Sequence, residues 1–178
     1  MNIFVFGTLL SETFRRIVLG RELNSEHICT ASLKNFCVYW AEGGPFPVIV
    51  PKDGTEVHGV VLKDLNEHDI ERLNYYELGF GYVLREALVE TNDGLQDVFA
   101  YFCRSSDMAS KNLWSFDDWH TKHSEIQYLA TTEFMDFFGT KFGDTAQQIY
   151  NSILKRAEIY VKERSSLSNV IEDGPSKH

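Results

Sequence analysis

Asn2-Ile3-Phe4-Val5-Phe6-Gly7-Thr8-Leu9-Leu10 is the stretch from which the rest of the chain is read. Ile3 to Phe6 is an unbroken apolar run, the pattern of a strand buried on both faces, and Gly7 ends it with a sharp turn. A helix pattern follows at once. Ser11 stands at an N-cap position, Phe14, Ile17 and Val18 form an apolar stripe, and Gly20 supplies a C-terminal stop. Strand, glycine turn and helix in this order gather free backbone N–H groups at one point, an arrangement that binds anions and oxyanions. Gly7 suits that point because a side chain would block the approach of a ligand to the backbone. A turn with no ligand is the alternative, since strand–glycine–helix junctions occur in many α/β proteins.

The 178 residues suffice for one domain with an appendage. Seventeen basic against 26 acidic side chains leave a net charge of −9, which argues against nucleic acid or an anionic membrane as a partner. No apolar run reaches the length of a membrane span, and the start lacks the basic region of a signal peptide. Cys29, Cys37 and Cys103 are odd in number and show no metal-type spacing. They read as reduced thiols in a reducing compartment, and the expected location is cytoplasmic.

Phe36 to Trp40 reads as a strand, Gly43 to Pro47 as a loop, Val48 to Val50 as a short strand stopped by Pro51, and Asp53-Gly54 as a turn. Val57 to Leu62 is a further strand. Asn66, with Asp69 three residues on, opens a capped helix that should end near Leu78, before Gly79 and Gly81. Tyr82 to Glu90 and Gln96 to Cys103 flank Asn92-Asp93-Gly94 as a hairpin. Residues 1–104 therefore predict an α+β domain with a small, mostly antiparallel, barrel-like sheet and flanking helices. Residues 105–164 predict a loop to Asn112, then two helices packed on the sheet. The first carries Phe116, Trp119, His123, Ala130, Phe134, Phe137 and Phe138, and the second Ala146, Ile149, Ile153, Ala157 and Tyr160. Residues 165–178 read as a disordered tail.

Glu77 is the leading candidate for chemistry. It follows Ile70 by seven residues and Leu73 by four, on the apolar side of its helix and near the negative end of the helix dipole. Both circumstances disfavour the ionised form and raise the pKa, as a general base working near neutrality requires. A hydrogen-bonded buried acid, or a solvated one beyond the helix end, is the plainer alternative. His120 and His123 with Asp117 lack a further ligand at matching spacing, so no metal site is expected. Cys37 beside Tyr39 is a possible nucleophile on a strand where inert cysteines are common. Serine-hydrolase, P-loop and dinucleotide-binding fingerprints are absent from the sequence.

Four segments taken together resemble one family. Phe4-Val5-Phe6-Gly7-Thr8-Leu9 is similar to the Tyr-Gly-Ser/Thr-Leu opening of the gamma-glutamylcyclotransferase-like family. Phe46-Pro47-Val48-Ile49-Val50-Pro51 is similar to its Tyr-Pro-Ala segment. Gly59 with Val60-Val61-Leu62 resembles the strand that follows. Leu73-Asn74-Tyr75-Tyr76-Glu77, with Tyr82 beyond, resembles its Leu-Asp-x-Phe/Tyr-Glu motif and downstream Tyr. Trp114-Ser115-Phe116-Asp117-Asp118-Trp119, His123 and Phe134-Met135 extend the likeness to the plant branch first named for avirulence-induced genes, so that it covers roughly residues 2–138.

The resemblance implies a barrel-like sheet and an enzyme that closes a γ-glutamyl compound to 5-oxoproline, releasing the amine without a cofactor. It implies Glu77 as the acid/base, the backbone of Val5, Phe6, Gly7, Thr8, Leu9 and Leu10 as the substrate cradle, and Tyr82 as a pocket residue. The expected partner is a small γ-glutamyl molecule. Phe6 and Asn74 depart from the family's Tyr and Asp. A non-catalytic binding protein on the same fold and a thiol enzyme using Cys37 are the competing readings, separated by whether 5-oxoproline is released.

Overall fold

Ile3–Val5 forms β1, and its two faces enter different cores. Phe4 joins a cluster with Val61, Val89, Val98 and Ala100, while Ile3 and Val5 join a second cluster with Leu62, Leu73 and the helices. This is the double burial that the apolar run requires. The computed structural model describes residues 1–141 and 145–172, with side chains placed as far as Leu167.

The strands close on themselves. β1 pairs antiparallel with β3 (Gly44–Leu62) through Phe4↔Val61, and parallel with β5 (Gly94–Cys103) through Ile3↔Phe99. β5 forms the expected hairpin with β4 (Tyr82–Thr91), turning between Thr91 and Gly94. β4 meets β2 (Ile28–Ala41) at Ala31↔Thr91, and β2 returns to β3 along most of its length. The result is a five-stranded barrel in which only β1 and β5 run parallel. β6 (Ala109–Leu113) attaches to the far end of β2 at Tyr39↔Leu113. The fold class is therefore the small, mostly antiparallel barrel-like α+β sheet that the sequence predicts.

Several element readings change. Gly43 to Pro47 is not a loop: Gly44 already pairs with Ala41, and β3 continues through Pro47 and Pro51. Pro47 and Pro51 face β2 opposite Trp40 and Phe36, while β1 meets β3 only at Val60–Leu62, so this part of β3 has one ladder and a missing N–H costs least there. The turn at Asp53-Gly54 survives as an excursion inside β3. The register shifts there against Asn35, which takes φ 62° and accepts a hydrogen bond from Gly54 N–H at 3.2 Å. Ser105 to Asn112, expected as loop, contains β6. The first C-terminal helix breaks at His123 into α3 (Phe116–Lys122) and α4 (Ser124–Met135). Phe137 and Phe138 lie beyond it. The last helix, α5 (Ala146–Glu172), runs through Ser165, so the segment expected as a disordered tail is helical as far as Glu172, and residues 173–178 lie outside the described residues. Tyr160, placed on its apolar stripe, is more than half exposed.

α1 (Glu12–Leu19) and α2 (Glu67–Leu78) keep their predicted caps. Ser11 Oγ accepts from Phe14 N–H, and Gly20 closes α1 in the left-handed region. Asn66 and Asp69 form both halves of the capping box of α2. Arg72 of α2 donates to the carbonyls of Ile17 and Val18, which ties the two helices together. The C-terminal helices cover the same core: Trp119, Ala130, Phe134, Tyr150 and Ile153 are all buried within it. Among the described residues no helix is long and apolar enough to cross a membrane.

Gly7 to Leu10 forms a single 3-10 turn between β1 and α1. Gly7 takes φ 69°, and a Cβ there would stand 2.3 Å from Pro47 Cγ. The glycine is therefore required by the ring of Pro47 on β3, a neighbour that the sequence reading did not consider. Arg15 of α1 donates to the carbonyls of Leu9 and Leu10 and locks the end of the turn.

Two outcomes follow from this packing. Gly7→Ala should lower stability by about 1–3 kcal/mol through strained φ and the Pro47 collision. An unchanged midpoint in thermal unfolding would refute that account. Truncation after Arg104 removes Trp119, Phe134, Met135, Tyr150 and Ile153 from the core, each worth about 1.5–3 kcal/mol, and should yield insoluble protein. Removal from Leu167 onward should change little, because Ala157 is the last buried side chain among the described residues. A soluble, cooperatively melting 1–104 fragment would contradict the packing argument.

Candidate active site

Glu77 lies in the last turn of α2, and its side chain lines a narrow cleft whose mouth is open to solvent. The floor comes from the start of the chain: Phe4, Val5, Phe6, Thr8 and Leu9. Phe46 and Pro47 of β3 form one wall. Tyr76 and Phe80 flank Glu77, and Tyr82 and Tyr101 of the β4–β5 hairpin complete the enclosure.

The position of Glu77 follows from local helix physics. Leu73 and Tyr76 are buried against the core, so the helix face between them and the barrel is fixed. Glu77, four residues beyond Leu73, must then face the seam where β1 ends. Among the described residues its carboxylate has neither an ion-pair partner nor a hydrogen-bond donor. It is half-buried, touching solvent only through the cleft while aromatic groups surround it. Desolvation pushes its pKa up from an ordinary 4.5 to about 8.

The surrounding hydroxyls are committed to structure. Tyr82 Oη donates to Pro47 O at 2.8 Å, and Tyr101 Oη donates to Asn74 Oδ1 at 2.9 Å. Asn74 thus acts on the position of a cleft tyrosine one helical turn before Glu77. Burial raises the pKa of both tyrosines, with the nearby Glu77 carboxylate adding to it. They stay neutral through the range in which Glu77 titrates.

Of the residues nominated for substrate contact, Val5, Phe6, Thr8, Leu9 and Tyr82 meet Glu77 at the cleft. Gly7 and Leu10 do not line it; they lie on an adjacent surface with Cys37, Val38 and Trp114. The N–H groups of Gly7 and Thr8 nevertheless begin the 3-10 turn, where the first donors have no acceptor within the helix. Cys37 is therefore separated from the cleft that holds Glu77. His120 stacks on Phe116 at 5.8 Å, and His123 packs edge-on against Trp40 at 5.6 Å. Aromatic packing accounts for both. No cluster of three metal-ligating side chains occurs among the described residues.

Sequence reasoning gave no role to Phe46, Pro47, Phe80 or Tyr101, because their convergence depends on barrel closure. The Phe46-Pro47 segment was visible as a motif, but its use as a wall was not. Gln127 was missed altogether. It is fully buried, accepts from Trp119 Nε1 at 2.9 Å and donates to Pro45 O at 3.0 Å. Through it the C-terminal helices hold the strand that carries Phe46 and Pro47.

Comparison with known proteins bears on the family of the chain. A family model described as "Gamma-glutamyl cyclotransferase, AIG2-like" matches residues 3–121. AIG2-like protein B of Arabidopsis thaliana is 29% identical over 138 residues, which cover 76% of this chain and 78% of that protein. AIG2-like protein A of the same plant is 28% identical over 130 residues, 70% and 74% of the two chains. A solution structure of an Arabidopsis thaliana protein matches at a TM-score of 0.53 with 25% identity, covering 78% of this chain and 93% of that one. A family match across two thirds of the chain, on a barrel built as that resemblance implied, leaves one assignment: the chain belongs to the gamma-glutamyl cyclotransferase, AIG2-like family.

Proposed function

We propose that the protein is a γ-glutamyl cyclotransferase, which cyclises a γ-glutamyl amine or γ-glutamyl amino acid to 5-oxoproline and releases the amine. One observation carries the reading: a carboxylate without a partner among the described residues, with its pKa raised to about 8, in a cleft floored by the turn at the end of β1. A structural acid would have acquired a donor. An unpaired one kept near neutrality suits proton transfer.

The reaction needs no enzyme nucleophile. The substrate's α-amine attacks its own γ-carbonyl, so that a C–N bond forms to close the five-membered lactam and the amide C–N bond breaks. Glu77 takes the proton that the α-ammonium must lose and returns it to the departing nitrogen. The N–H of Thr8, the turn residue that lines the cleft, shelters the oxyanion that develops on the carbonyl oxygen. Cleft walls hold amine and carbonyl within bonding reach, which replaces a search through solution conformers. Phe6, in place of the family's Tyr, makes this part of the cleft more apolar and keeps Glu77 desolvated. The substrate is a small soluble molecule, and the reduced thiols and acidic surface suit a cytoplasmic site of action.

Glu77→Gln is the decisive variant. Turnover should fall by about 100-fold or more, the usual scale of general acid–base catalysis, while substrate still binds. In the wild type, the rate should rise with pH through about 8 as the carboxylate becomes free to accept a proton. Stability should run the other way. The folded state holds the Glu77 proton more tightly than the unfolded chain, so the contribution is complete below the ordinary carboxylate pKa and is lost as pH rises to about 8. Glu77→Gln should remove that slope and melt higher than wild type at alkaline pH. Wild-type rates of 5-oxoproline release by the purified variant would end the proposal.

A further inference from the structure

A second, wider cleft adjoins the one that holds Glu77. Phe46, Phe80 and Tyr82 line both, and the rings of Phe46 and Phe80 stack at 6.1 Å between centroids. The far side is of different chemistry. It consists of Arg104 and Ser105 after β5, Glu42 at the β2–β3 turn, and Gln147 and Asn151 of α5. Gln147 and Asn151 are four residues apart and therefore share one helix face. They also lie beyond residues 3–121, the span matched by the family model.

Arg104 and Glu42 are both anchored by backbone hydrogen bonds, Arg104 N–H to Gly81 O at 3.1 Å and Glu42 N–H to Met108 O at 2.8 Å. Among the described residues neither side chain has an ion-pair or hydrogen-bond partner, including each other. An open guanidinium on a polar surface next to an apolar, carboxylate-bearing cleft has a direct use in a reaction that expels an amine.

Resting on the cyclotransferase reading, we infer that this second cleft receives the leaving amine, and that Arg104 selects leaving amines that carry one carboxylate, as in a γ-glutamyl amino acid. The γ-glutamyl half occupies the enclosed cleft, because Glu77 must reach its α-ammonium. The amide nitrogen and its substituent then point across Phe46 and Phe80 toward Arg104. A carboxylate one carbon from that nitrogen meets the guanidinium, and Gln147 and Asn151 offer amide groups to the rest. Glu42 on the same rim repels a second negative charge. The bonds made and broken are those of the cyclisation itself. The leaving nitrogen departs with the proton from Glu77, and no co-reactant is needed.

The test compares γ-glutamyl-alanine with γ-glutamyl-ethylamide, which differ only by that carboxylate. Binding is measured by calorimetry to Glu77→Gln protein, with and without Arg104→Met, and turnover by 5-oxoproline release from wild type and Arg104→Met. Arg104 and its substitute are exposed, so the fold is not at risk. The alanine compound should bind about five- to tenfold more tightly, the scale of one charge-assisted contact at a solvent-open site. Arg104→Met should abolish that preference while leaving the ethylamide unchanged, and added salt should erode it. Asn151→Ala should weaken both ligands. Equal affinity for the two compounds, a preference that survives Arg104→Met, or binding of neither compound would overturn the inference. An Arg104-dependent preference in binding, with no 5-oxoproline formed by wild type, would uphold the subsite and remove the cyclotransferase reading instead.

Discussion

Pro47 pressed against Gly7 is the contact on which the site depends. A Cβ on residue 7 would come within 2.3 Å of the proline ring, so β1 can end where it does only with a glycine. The same proline is held from two further directions. Tyr82 of β4 donates to its carbonyl, and Gln127 of α4 donates to the carbonyl of Pro45 two residues before. Four parts of the chain are thus fixed at one spot: the first turn, the β2–β3 hairpin, the β4–β5 hairpin and the C-terminal helices. Each hydrogen bond is worth only about 1 kcal/mol net, but leaving a buried partner unsatisfied costs more. The wall is therefore hard to move without breaking several contacts.

α2 contains its own control for the electrostatics of Glu77. Asp69, at the other end of the helix, is fully buried, yet its pKa is lowered. The Arg21 guanidinium donates two hydrogen bonds to it, at 2.8 and 2.6 Å, and the N–H of Asn66 adds a third. The positive end of the helix dipole favours the same charge. Glu77 stands at the negative end without a donor, and burial alone sets its direction. One helix thus holds two shielded carboxylates whose proton affinities move in opposite senses. Asp69 stabilises the fold above the ordinary carboxylate pKa, and this is lost as pH falls through its depressed value. Glu77 does the reverse between about 4.5 and about 8. Pairing marks the structural acid, and its lack marks the candidate for chemistry.

The parts legible in the sequence were those decided by neighbours along the chain. Ser11, Gly20, Asn66 and Asp69 cap because capping is a matter of three or four residues, and Asn92-Asp93-Gly94 turns for the same reason. Glu77 was legible because helical spacing from Leu73 fixes its direction. What failed depended on contacts distant in sequence. The Gly43 to Pro47 segment reads as loop on its prolines, yet becomes strand because Phe36 to Ala41 is available to pair with it. Ser165 to Glu172 reads as disordered on polarity, but helix continues there as an extension of a turn already nucleated by Tyr150 and Ile153 in the core. The need for glycine at position 7 was legible from the turn, but no local rule reveals the proline 40 residues away that also demands it.

The C-terminal helices have more than a covering role. Trp119 and Gln127 make a buried hydrogen-bonded pair whose remaining donor reaches Pro45, so they bear on the cleft wall without touching its interior. Tyr150 of α5 packs against both Phe46 and Phe80, at 5.9 and 4.9 Å, from behind the aromatic pair that separates the two clefts. Three residues before Tyr150 and one after it, Gln147 and Asn151 line the larger cleft. A single helix therefore sets the position of the partition and the chemistry beyond it. In the proposed cyclisation the barrel and α2 would supply the acid and the turn, which are all that ring closure on a γ-glutamyl group requires. Discrimination among leaving amines then falls to the elements that line the exit, and in this chain those include a helix outside the span that the family model matches.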